Sequence, residues 1–76
     1  MDRAAADAVT KVLLTNIHRK LEEAATIAKA AAAGAESGNV EGAVRMVMDI
    51  EDPTYQANRM LNAALLISSG LLHTTD

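Results

Sequence analysis

His18 and Glu22 are the two residues whose types and spacing best suit chemistry. They are four positions apart, so on a helix they share one face and would supply two ligands of a metal site. Arg19, Lys20 and Glu23 surround the histidine, which favours an exposed side chain among charges. The chain has no cysteine, so a full ligand set would need donors from a second chain. We therefore expect no metal and no other cofactor.

The sequence offers no other catalytic group. A histidine phosphotransfer site typically carries lysine three residues after its histidine and then glycine, whereas Leu21 and Glu22 follow His18 at that spacing. Catalysis by paired carboxylates needs a cleft that raises one pKa, and three slim helices provide none. We predict no catalytic residue, and we expect that the protein is not an enzyme.

An acidic cluster precedes the last predicted helix, at Asp49, Glu51 and Asp52. One interpretation is a patch for a cation or for a basic partner. The interpretation that we favour is that Asp52 caps the helix and that the other two carboxylates are solvated.

Composition excludes several classes of partner. Seven basic against ten acidic residues give a net charge of −3 among 76 residues. Affinity for nucleic acid comes mainly from Lys and Arg on phosphates, so we expect no nucleic-acid partner. The longest apolar run, 60–72, is shorter than the ~20 residues of a membrane span, and no secretory signal opens the chain. We expect a cytoplasmic protein without a membrane partner.

Apolar residues recur at steps of three and four throughout the chain, which predicts an all-α protein. We predict a single helical domain, 1–76, with helices over 3–33, 40–50 and 53–69 and a frayed tail over 70–76. Asp2 is the expected first N-cap, Gly34 or Gly38 the expected end of helix one, and Pro53 the start of helix three. Asn16 leaves open whether helix one is continuous. Short loops predict two shorter helices, each antiparallel to its neighbour.

Residues 24–53 resemble the hairpin of a tetratricopeptide repeat at Gly38, Val40, Ala43 and Pro53. The Trp and Tyr positions of that repeat hold Ile27 and Gly34 instead. No second repeat follows, although a solenoid needs about three. We interpret the similarity as a shared way of packing two helices rather than as membership.

The apolar residues predict self-association. Sixteen residues are alanine and only Tyr55 is aromatic, so a lone chain has little bulk for a core. The methionines at 46, 48 and 60 are expected in that core. Pairing two chains would complete the bundle, and a two-fold homodimer is the commonest closed assembly. The expected interface consists of Val9, Leu13, Ile17, Leu21, Leu65 and Leu66.

These features lead to two hypotheses about function. The first is a small non-enzymatic helical protein that forms a homodimer and acts by binding another protein, as an adaptor or regulator. The second is a small acidic inhibitor, similar to an antitoxin, that covers a basic functional surface of its target.

Overall fold

The fold is all-α. The computed structural model describes residues 2–74, with side chains for residues 2–69. It contains helices α1 (Arg3–Glu36), α2 (Val40–Val47) and α3 (Glu51–Thr74), with a 3₁₀ turn (Met48–Ile50) between the last two. No strand occurs within residues 2–74. The last two residues of the expected tail, 75–76, lie outside the described part of the chain.

The molecule is a hairpin of two long arms rather than three helices folded in succession. The segment from Val40 to Thr74 is helical throughout and forms the second arm. Both α2 and α3 contact α1, and α2 and α3 do not contact each other within the described residues. The expectation that helix three turns back against helix two was therefore wrong. Pro53 is the third residue of α3, and the first residues of a helix need no helical partner for their backbone N–H groups. The proline is therefore accommodated directly after the 3₁₀ turn, without a loop that reverses the chain.

The turn between the arms occupies Ser37, Gly38 and Asn39. Gly38 has φ +98°, a left-handed conformation that costs glycine nothing and other residues about 1–2 kcal/mol. Gly34 stays inside α1, so the glycine that ends the first helix is Gly38. The Asn39 side chain caps α2.

The other helix ends also show which polar side chains act as caps. Asp2 caps α1 as predicted, since its Oδ1 accepts a hydrogen bond from the Ala5 N–H at 2.8 Å. Asp52 is inside α3 rather than at its cap, and its Oδ2 accepts from Gln56 Nε2 at 3.3 Å. At the other end α3 continues past the predicted end at 69 to Thr74. A single glycine at position 70 costs a helix only ~1 kcal/mol, which does not stop it.

Helix α1 is continuous through Asn16, and a seam along it faces the second arm. The seam positions are buried or half-buried and alternate between steps of four and three, as in a coiled coil. They are Ala6, Thr10, Leu13, Ile17, Lys20, Ala24, Ile27, Ala31 and Gly34, and Asn16 and Ala35 beside them are half-buried too.

The buried core consists of small side chains. Within residues 2–69 its members are alanines at 6, 24, 31, 43, 57 and 64 together with Pro53, and none of the large side chains in that range is fully buried. Small residues let two helix backbones approach closely, which leaves larger neighbours at the edges of the contact. Met46 and Met48 are exposed, so the expectation that these methionines are in the core was wrong.

The hairpin is a rod. It measures 58 × 16 × 14 Å, with a radius of gyration of 17.3 Å, against ~11 Å for a compact chain of this length. Its accessible surface is 5712 Å², whereas a compact monomer of its mass exposes about 4,450 Å². The rod therefore exposes much more surface than a compact fold of the same size.

Candidate interaction surface

One side of the hairpin carries a groove without charged residues, which we call the apolar groove. Helix α1 contributes Ile17 and Leu21 to it, and α3 contributes Leu61 on the opposite wall. The remaining lining is small or neutral, from Thr54, Ala57 and Asn58. None of these lining residues has a charged or titratable side chain. The chemistry of the apolar groove favours contact with another apolar surface.

Leucines extend the apolar groove toward the open end of the hairpin. Leu14 is seven residues before Leu21, which is two helical turns and so the same side of α1. Leu65 is one turn after Leu61 on α3. Both leucines are more than half exposed. The apolar groove and these two leucines together form what we call the leucine face.

The other side of the hairpin carries a polar groove lined by Asn16, Lys20, Gln56, Arg59 and Met60. Lys20 Nζ lies 3.4 Å from Glu23 Oε2, an exposed pair that contributes little to stability. The guanidinium of Arg59 lies 5.9 Å from the centroid of the Tyr55 ring. The two sides of the rod therefore differ in charge, and the polar groove is the side suited to remain in water.

The first four residues of the predicted interface do not share one face. Val9, Leu13, Ile17 and Leu21 recur in steps of four, and each step turns about 40° around a helix. Leu13 and Ile17 are half-buried at the seam, while Val9 and Leu21 are exposed and lie roughly 120° apart. Of the four, the structure places Ile17 and Leu21 in the apolar groove.

The last two predicted interface residues also separate. Leu65 and Leu66 are consecutive, so their side chains leave α3 about 100° apart. Leu65 belongs to the leucine face, whereas Leu66 points away and is 74% exposed. Sequence reasoning missed Leu14 and Leu61. The four-three seam of α1 would have identified Leu14, which flanks it on the same side as Leu21, whereas Leu61 needs the packing of the second arm.

The candidate metal ligands His18 and Glu22 lie close together, but they are only two. His18 Nδ1 lies 3.6 Å from Glu22 Oε1, and both side chains are largely exposed. Within the described residues no group of three or more possible metal ligands occurs. Two donors fall short of the four that a structural zinc site uses. The expected acidic cluster at Asp49, Glu51 and Asp52 is likewise exposed.

The fold and surface define the chain as a long helical hairpin with one apolar side. Comparison with protein-family models, with curated proteins and with solved structures finds no match. Across the described part of the chain, no helix has both the length and the apolar composition needed to cross a bilayer.

Proposed function

We propose that this is a small non-enzymatic helical protein that self-associates and acts by protein–protein interaction, as an adaptor or regulator. The observation that supports this is the distribution of its large apolar side chains. Among the side chains that the structure describes, no large one is fully buried. Those at least two-fifths exposed are Val9, Val12, Leu14, Leu21, Val40, Val44, Met46, Val47, Met48, Tyr55, Leu61, Leu65 and Leu66.

Energetics favour covering these side chains. Full burial of one Leu or Val contributes about 1.5–3 kcal/mol, and a domain of this size has a net stability of only a few kcal/mol. The buried alanines between the two arms supply little of that burial. Monomeric proteins rarely expose apolar patches larger than a few hundred Å². A second protein surface against the hairpin, most simply another copy, supplies the missing burial.

Size-exclusion chromatography with light scattering, over about a hundredfold range of concentration, tests self-association. The expected result is twice the chain mass of 8.0 kDa at high concentration, with dissociation only on dilution. A mass of one chain at every concentration, from a sample that is helical by circular dichroism, would refute the proposal.

A second candidate function is supported by the charge near the turn. Residues 29–52 carry two basic side chains and five acidic ones, all of the latter exposed: Glu36, Glu41, Asp49, Glu51 and Asp52. An acidic inhibitor, similar to an antitoxin, would use this end to cover a basic surface of its target. Target binding would then weaken steeply with added salt. Binding insensitive to salt would contradict this candidate and favour an apolar contact.

A further inference from the structure

We propose that two copies dock through their leucine faces in antiparallel orientation and form a four-helix bundle. In this arrangement the two-fold axis crosses the middle of the rod, near Leu21 and Leu61. The inference rests on the proposed self-association and adds to it the face, the orientation and the identity of the covering partner.

The leucine face suits a two-fold contact. Such an interface brings the same patch of both chains together, so the patch must be complementary to itself. Like charges facing each other across the axis would repel, and the apolar groove has none. The polar groove would place Lys20 and Arg59 of one copy near their equivalents. The apolar side is therefore the one that a second copy can cover without burying unpaired charge.

The amount of excess surface supports a second copy as the partner. Two separate rods expose twice 5712 Å², whereas a compact dimer of the combined mass exposes about 7,400 Å². The difference of about 4,000 Å² falls within the range for obligate homodimers, roughly 2,000–5,000 Å². The excess surface of two hairpins is therefore of the size that homodimer interfaces bury.

The position of the groove and the charge near the turn set the orientation. Ile17 and Leu21 are near the middle of α1, so an axis perpendicular to the rod at that point overlays the two hairpins along their full length. A parallel dimer would bring the two acidic 29–52 segments side by side, at a cost from like-charge repulsion. The antiparallel dimer moves them to opposite ends.

A pair of aspartate substitutions on α3 tests the face. Leu61→Asp places a charge in the apolar groove, and Leu66→Asp is its matched control on the side that stays in water. Light scattering is expected to show at least a tenfold weaker dimer for L61D and an unchanged dimer for L66D. If L66D breaks the dimer and L61D does not, the face is wrong while self-association stands. A monomeric wild type refutes self-association itself.

Spin labels test the orientation on the intact dimer. The chain has no cysteine, so Val40→Cys, outside the leucine face, places a single label on each chain. Val40 is about 27 Å along the arm from Asn58, which lies near the proposed axis, so two labels at residue 40 are about 54 Å apart in the antiparallel dimer. In a parallel dimer the two labels would be separated by no more than about two rod widths, each of 16 Å. A distance at residue 40 below about 32 Å would therefore indicate a parallel dimer and overturn the proposal.

Discussion

The side chain of Asn39 lies directly over the backbone of Gly42, with 3.1 Å between Asn39 Oδ1 and the Gly42 nitrogen. A Cβ on residue 42 would come within 2.5 Å of the Asn39 amide nitrogen. Glycine weakens a helix interior by about 1 kcal/mol relative to alanine. Here it leaves room for the cap that starts α2, so the two residues act as a unit.

Replacing Asn39 by alanine is expected to destabilise the hairpin by about 1 kcal/mol, because the first turn of α2 loses its side-chain acceptor. Asn39→Asp is the matched control, since a carboxylate oxygen accepts the same hydrogen bond. Urea unfolding at a fixed protein concentration measures both. Equal loss of stability in the two variants would show that the amide acts through something other than the cap.

Two glycines near the turn are expected to respond to alanine in opposite directions. Gly38 has a positive φ, so Gly38→Ala strains the backbone and should cost roughly 1–2 kcal/mol. Gly34 is inside α1, and a Cβ there meets nothing within 4 Å, so Gly34→Ala should gain about 0.5–1 kcal/mol. Thermal unfolding of both variants beside the wild type checks the signs. The same sign for both would contradict the structure of the turn.

The buried alanines between the two arms set how closely the arms approach each other. Ala31 is 6% exposed, and its neighbour Ala30 is exposed, so leucine at these positions makes the same chemical change in two environments. Ala31→Leu is expected to destabilise by about 1–3 kcal/mol through overpacking, and Ala30→Leu by less than about 0.5 kcal/mol. Chemical denaturation gives both values. An Ala31→Leu variant as stable as the wild type would mean that the arms are not in close contact there.

Local signals in the sequence were enough to predict helical structure along the chain and the Asp2 cap of α1. The periodicity and the Asp2 side chain act within a few residues, so they can be recognised without a fold. The same kind of signal at Asp52 was misleading, since Asp52 is inside α3. The path of the chain after residue 47 could not be derived in this way. Asp52 and Pro53 start a helix equally well after a reversing loop or after a 3₁₀ turn, and only packing along α1 decides between the two.

The apolar groove contains only part of the predicted interface set, for a geometric reason. Steps of four from Val9 follow apolar residues but wind around α1, so the predicted set mixes the seam with both of its edges. Ile17 and Leu21 were included in the set, whereas Leu61 is assigned only once the second arm shows which side of α3 faces α1. A surface between two helices requires their relative rotation, which neither helix specifies alone.

If the dimer provides the missing burial, its thermal stability must depend on concentration. A tenfold increase in concentration adds about 1.4 kcal/mol per dimer, which for two chains of this size raises the Tm by roughly 3–6 °C. Circular dichroism melts at two concentrations measure the shift. Leu66→Asp should keep it, whereas Leu61→Asp should lower the Tm and abolish the shift, because unfolding then starts from single hairpins. A wild-type Tm that stays constant over that range would mean that the exposed leucines contribute nothing to folding through a second copy.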